Sequence, residues 1–379
     1  KFLSILLSFS IIFTSVSTVS ALDIELPKNL DNFTEDVADL INEYEDLSSS
    51  ESAVFFTAAD ESETENSEST NRLIVKSTEK IDTLNAINSV SGYNDLYILQ
   101  FENSEDCEAA LEYYSTLSCV KYVQEDGIVT ETAIEEAEAT VNEAAIDISS
   151  QYQSDVFGYT NAKANMGSAA VTIAVVDSGV ANDHEYLQGR VIPTGFDSVD
   201  NESCYDLRGH GTHVAGIIAA NTKSNVKIKP YKVLGADGKG TEAQLYLGIQ
   251  AAIEDGVDII NLSLSKEGES EVIHEAVQNA YNAGITVVAA AGNDGADLDF
   301  TFYSPACYDE VICVVSIDVN KKRASTTNWR AEDTLSAPGV NILSSYLNNT
   351  YKIMSGTSMA TPFISCCVAY LLASGNYYS

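Results

Sequence analysis

Between Ala170 and Ser374 the chain repeats one pattern, in which a short unbroken apolar run is followed by a helix-length run. "AVTIAVVDSGV", "VKIKPYKVLG", "VDIINLSLS", "ITVVAAAGN" and "DEVICVVSI" are the strand-like pieces. "GTHVAGIIAA", "TEAQLYLGIQAAIEDG", "SEVIHEAVQNAYNAG" and "GTSMATPFISCCVAYLLAS" are the helical ones. Continuous rather than alternating apolarity suits strands buried on both faces, which is the situation in a parallel sheet. Strands and helices in alternation predict a doubly wound, mostly parallel α/β domain over residues 151–379. Such sheets place their sites beyond the carboxyl ends of the strands.

Used as a filter, that rule selects few residues. The first strand ends at Asp177, the third near Ser263, and the fourth at Asn293. The last helix opens at Gly356, Thr357 and Ser358, and His210 opens an earlier one. An acid, an imidazole, a hydroxyl and an amide are what acyl transfer needs. A serine hydroxyl is a poor nucleophile until a base takes its proton, and imidazole titrates in the right range for that base. A carboxylate can hold the imidazole in its useful tautomer. An amide and a backbone N–H at a helix start can meet the developing oxyanion. The second histidine of "RGHGTHVAG", His213, could form a His-x-x-His metal pair with His210. No third ligand follows at a fixed spacing, so His213 is expected to pack and no metal ligands are assigned. His184 and His274 are expected to be surface or partly buried residues.

"VVDSGV" at Asp177, "RGHGTHVAG" at His210 and "SGTSMATP" at Ser358 together resemble the three signatures of the subtilisin-like serine proteases, in the order Asp, His, Ser. "AAAGNDG" resembles the family segment that carries the oxyanion amide. The resemblance covers about residues 150–379. It implies that Ser358 is the nucleophile, His210 the general base and then acid, and Asp177 the residue that orients His210. Asn293 and the Ser358 backbone N–H would form the oxyanion hole. Gly238, Lys239 and Gly240 match a segment that pairs with an extended substrate backbone, and Ser263 and Leu264 match another, a case of strand addition. Ser265 stands where glycine is usual and would narrow the pocket. Ala290, Ala291 and Gly292 would wall the primary specificity pocket. Phe363, where the family often has histidine, is expected to pack without consequence for the chemistry.

The acid is concentrated upstream. Residues 22–150 carry 31 acidic and 5 basic side chains, against 25 and 14 in residues 151–379, and with Lys1 the net charge is −36. Such a surface repels nucleic acid and anionic membranes. Lys1, the apolar "FLSILLSFSIIF" and "TSVSTVSA" read as a secretory signal peptide over residues 1–21, with Val19 and Ala21 suited to the cleavage site. Residues 22–70 are Ser-rich and acidic and are expected to be a mostly disordered linker. Residues 71–124 read as strand, helix, strand, helix, strand, a small α+β module. "TEKIDTLNAIN" supplies its first helix, and Ser104 is the expected cap of its second. Secreted members of the family carry a ferredoxin-like pro-region, which this module resembles in pattern. The resemblance implies an intramolecular inhibitor and folding aid, with residues 125–150 as a linker cut between about Thr130 and Tyr152.

The expected protein is therefore a secreted, extracellular or cell-surface serine endopeptidase made as a zymogen. Its partners would be an extended polypeptide substrate and its own pro-region, with no membrane contact beyond the signal peptide, and it is expected to be a monomer. A catalytically silent subtilase-like binding or adhesion protein, or an inactive fragment, is the alternative. An esterase is disfavoured because Ala360 stands where the Gly-x-Ser-x-Gly elbow needs its second glycine. No cofactor is required. A structural calcium is compatible with the acidity, although the short Asn221–Lys229 connection argues against the loop that holds one in many members. Seven cysteines leave at least one unpaired, with Cys107–Cys119 and Cys307–Cys313 as candidate bridges. Only 21 residues follow Ser358 and no Met opens the chain, so it reads as clipped at both ends, with apolar surface exposed at the last helix.

Overall fold

The computed structural model describes residues 70–91, 95–132 and 156–375. The expected signal peptide, all but the last residue of the acidic linker, and residues 133–150 lie outside the described residues. The first part is an antiparallel sheet of β1 (Arg72–Ser77), β2 (Asn88–Ser91), β3 (Leu96–Gln100) and β4 (Val120–Glu125), in the order β2-β3-β1-β4, with α1 (Ser104–Ser115) on one face. Alternate residues of each strand point to opposite faces. Leu73, Val75 and Leu99 therefore pack with Cys107, Ala110 and Tyr114 of α1. Ile74, Leu96 and Ile98 join the core of the larger domain. Both faces are thus buried, which accounts for the unbroken "LIV" of β1.

The expected first helix of this module is absent. Residues 78–87 run as irregular chain and turn, and β2 follows. The Asp82 carboxylate accepts the Leu84 N–H at 3.0 Å, Leu84 takes a positive φ of 51°, and the Tyr114 hydroxyl donates to the Asp82 carbonyl at 2.6 Å. The local Asp bond competes with helix, and the Tyr114 bond holds the alternative. Asn103, not Ser104, caps α1, accepting the Asp106 N–H at 2.9 Å.

Then comes β5 (Ile128–Glu131), placed by sequence in a linker but found as a strand. The remaining elements are α2 (Tyr159–Asn165), β6 (Val171–Asp177), β7 (Phe196–Asp197), α3 (His210–Asn221), β8 (Val226–Lys232), β9 (Lys239–Thr241), α4 (Glu242–Glu254), β10 (Ile259–Leu262), β11 (Leu264–Glu267), α5 (Glu271–Asn282), β12 (Thr286–Ala290), β13 (Tyr303–Ser304), β14 (Val311–Ile317), β15 (Thr334–Pro338), β16 (Ile342–Tyr346), β17 (Thr350–Met354) and α6 (Thr357–Ala373). Seven strands form one sheet in the order β15-β14-β12-β10-β6-β8-β7, with every pair parallel. Ala174 and Val176 of β6 face a layer containing α4 and α5, while Ile173 and Val175 face a layer containing α3 and α6. This is the doubly wound α/β fold expected from the sequence.

Three expectations are corrected. All seven cysteines are free thiols, and neither candidate bridge forms. Cys313 is buried within β14, and Cys307 accepts the Tyr303 N–H through its sulfur. The helix α6 shows no apolar face to solvent: it is buried except at Cys367 and Leu371, because it packs beneath four central strands and α3. His184 is buried, with Nε2 2.9 Å from the Thr350 carbonyl.

Candidate active site

Asp177 is the last residue of β6 and His210 the first of α3, and both are buried. His210 Nδ1 lies 2.7 Å from Asp177 Oδ1. A carboxylate can only accept, so Nδ1 carries a proton and, in neutral imidazole, Nε2 is the basic nitrogen. That Nε2 is buried and has no hydrogen-bond partner. Gly211 permits this approach: a Cβ there would lie 2.1 Å from the Gly179 carbonyl oxygen and 3.2 Å from the Asp177 side chain.

Asp206, which sequence reasoning did not single out, fixes the start of α3. Its Oδ1 accepts from the Ser178 hydroxyl and from the N–H groups of Arg208 and Gly209 at 2.8–2.9 Å. Its Oδ2 accepts from the Thr212 N–H and hydroxyl at 2.9 and 2.6 Å. It lies three residues before the Gly209 cap position, outside the usual cap pattern, so no capping signal in the sequence marked it. Burial pushes its carboxyl above the ordinary range, against the pull of these donors. His213 has a different environment from His210. Its Nε2 lies 2.9 Å from the Lys352 carbonyl and 3.1 Å from that of Ile342, in the β16–β17 hairpin. Burial lowers its pKa to about 3, so it stays neutral and structural.

Ser358 sits in the first turn of α6. Its hydroxyl donates to the Ser263 carbonyl at 2.8 Å and accepts the Thr132 N–H at 3.1 Å. The Thr132 hydroxyl is 2.7 Å away. Asn293 Nδ2 donates to the Thr132 carbonyl at 2.5 Å, and the Ser358 N–H donates to the same oxygen at 3.2 Å. The Thr357 N–H donates to Asn293 Oδ1 at 3.0 Å, so the amide is oriented with its nitrogen toward Thr132.

The occupant of the cleft is thus the chain's own residues 128–132. β5 lies antiparallel between β9 and β11, pairing Thr130 with Lys239, Val129 with Gly240, Thr130 with Ser265 and Glu131 with Leu264. The Glu131 N–H donates to the Gly238 carbonyl at 3.2 Å, and the Thr132 N–H to the Ser263 carbonyl at 3.3 Å. The segments expected to hold an extended chain, at 238–240 and 263–265, both hold this one. Ala290 and Ala291 are buried where β12 ends, and Gly292 follows with φ of 101°.

Glu131 reaches over His210. One oxygen of its carboxylate accepts from Arg208 Nε at 3.2 Å and Nη2 at 2.9 Å, and the other lies 3.9 Å from His210 Nδ1. Burial disfavours charge on His210, but Asp177 and then Glu131 outweigh it and raise the pKa to about 9. Sequence reasoning identified neither Arg208 nor Glu131 with the site. Among the described residues, no group of three or more His, Cys, Asp or Glu side chains could hold a metal ion.

Residues 168–379 match the family model described as "Subtilase family". The chain belongs to the subtilase family. It is a subtilisin-like serine endopeptidase. This subtilase is 41% identical to Subtilisin DY of Bacillus licheniformis over 54% of its own length and 77% of the relative's. It is 34% identical to Alkaline serine exoprotease A of Vibrio alginolyticus over 69% of this chain and 49% of that one, a stretch that reaches upstream of the family match. Other relatives are named as extracellular or intracellular proteases. Among solved structures, a cold adapted subtilisin-like serine proteinase superposes with a TM-score of 0.52 at 37% identity, covering 56% of this chain and 78% of that one. No helix among the described residues is long and apolar enough to cross a membrane.

Proposed function

We propose that this subtilase is a secreted zymogen whose residues 71–132 act as folding aid and inhibitor, and that it cuts its own chain between Thr132 and Ala133. The observation that carries this reading is the Thr132 carbonyl, held by the Asn293 amide and the Ser358 N–H with the Ser358 hydroxyl beside it. The expected signal peptide carries the secretion part.

In this mechanism the Ser358 hydroxyl leaves the Ser263 carbonyl and gives its proton to His210 Nε2 as Oγ attacks the Thr132 carbonyl carbon. Asp177 holds the Nδ1–H and steadies the imidazolium. The two donors stabilise the oxygen as it takes up charge, which is where preorganised dipoles count most. The C–N bond to Ala133 then breaks, and His210 returns the proton to the Ala133 nitrogen. Water, activated by His210, hydrolyses the acyl-enzyme at Thr132. The chemistry requires no cofactor. Extended polypeptides would follow the path of residues 128–132 between β9 and β11, with main-chain bonds supplying affinity.

Purified full-length protein incubated alone should yield a new N-terminus at Ala133, and the Ser358→Ala protein should yield none. A cut elsewhere in the described residues, or an identical cut in Ser358→Ala, would overturn the assignment.

A further inference from the structure

We propose that Arg208 makes this cleft selective for an acidic side chain on the residue immediately before the one whose carbonyl is attacked. The proposal rests on the peptidase reading above and names the substrate class that reading leaves open.

Glu131 holds that position in the chain's own segment, and its surroundings form a built site. The guanidinium places two N–H groups on one carboxylate oxygen. Charge-assisted bonds of this kind are about twice as strong as neutral ones. The base of Arg208 is pinned at both ends, since its N–H donates to Asp206 and its carbonyl accepts from the Tyr346 hydroxyl at 2.9 Å. The cation therefore rises from a fixed platform rather than a mobile loop. Across from it, Gly238 has φ of 78°, and a Cβ there would lie 2.9 Å from the Glu131 carboxyl carbon. The Glu131 side chain is 9% exposed and Arg208 30%, so the pair is only partly screened.

The second Glu131 oxygen is buried with no hydrogen-bond partner and lies near His210. An acid here thus meets two cationic or potentially cationic groups. A neutral side chain forgoes both, and a lysine or arginine sets like charges a few ångströms apart in a closed cleft. Neighbouring Asp177 and Asp206 do not cancel this preference, because Asp177 is committed to His210 and Asp206 to backbone and hydroxyl donors.

The test uses the self-processed full-length protein and four chromogenic peptides, Ile-Val-Thr-X-Thr, with X as Glu, Gln, Ala or Lys. Glutamate should exceed glutamine about tenfold in kcat/KM, the low end for hydrogen bonds to charged groups given the exposure of Arg208, and lysine should be poorest. Arg208→Glu should reverse the order of Glu and Lys. In the intact precursor, Glu131→Lys should slow self-cleavage, and adding Arg208→Glu should restore it. Equal rates on all four peptides, or no rescue by the exchanged pair, overturn the inference while leaving the peptidase reading intact. Failure to cut any peptide or the precursor overturns the peptidase reading itself.

Discussion

Two histidines three residues apart carry opposite duties, and the difference lies wholly in what faces each ring. His210 meets two carboxylates and keeps an open Nε2, whereas His213 meets two backbone carbonyls. Asp206 fixes the start of the helix that carries both rings. Replacing it with Ala strands five donors near the start of α3, so unfolding free energy should fall by about 3 kcal/mol or more. Thermal or urea unfolding of the Ser358→Ala background would measure it, and a loss under 1 kcal/mol would contradict the structural role. Replacing Asn293 with Ala removes one of two donors to the Thr132 carbonyl. Its kcat should drop by about 10²–10³, a figure known for such a donor in subtilisin rather than derived from this geometry. A change confined to KM would point instead to substrate binding.

At the scale of elements, docking of the segment that carries β5 is expected to depend on pH. Asp126 follows β4 and accepts the Ala243 N–H at 2.8 Å, adding to the Thr241 cap of α4. Burial raises its carboxyl to about 6, against the opposing pull of Arg72 and the Ala243 and Thr241 donors, with Glu242 adding a small push upward. An ordinary exposed aspartate titrates near 3.9. The docked segment therefore holds a proton more tightly than the released one. This contribution to docking is full below about 3.9 and is lost as pH rises through about 6. The His210 contribution has the same sign: Glu131 favours the imidazolium, and that favour is lost as pH rises through about 9. After cleavage, the segment should dissociate more readily as pH increases from 4 to 9. Size-exclusion chromatography of the processed fragment ending at Thr132 and the enzyme would show it, and tighter association at high pH would refute it. The missing helix at 78–87 belongs to this scale too. Its apolar spacing was helical, but the Asp82 turn and the Tyr114 hydroxyl were better partners for its backbone than the helix ladder.

Across the whole molecule, the segment of residues 70–132 is held as a third layer. Its sheet lies over α4 and α5, with Ile74, Leu96 and Ile98 continuous with the main core. Glu275 of α5 anchors it through Lys76 at 2.6 Å and the Tyr122 hydroxyl at 3.0 Å. Gln124 adds bonds to Glu242 and to the Val272 N–H. Glu275→Ala should weaken docking by about 1–2 kcal/mol, since the Glu275 side chain is partly exposed and apolar burial remains. Inhibition of peptide hydrolysis by the cleaved fragment would report it, and an unchanged inhibition constant would assign docking to the apolar face alone. The local chemistry of this protein was legible in the sequence. Apolar runs specify strands buried on both faces, and Asp177, His210, Asn293 and Ser358 fall at strand and helix ends because those positions are set by residues a few places away. The tertiary structure alone decided which segment fills the cleft, that Arg208 meets Glu131, that His213 is locked, and that the cysteines stay apart. Those outcomes depend on the summed backbone bonds and burial of segments more than a hundred residues distant, or on which faces the packed layers bring together, and no short stretch of sequence contains that sum.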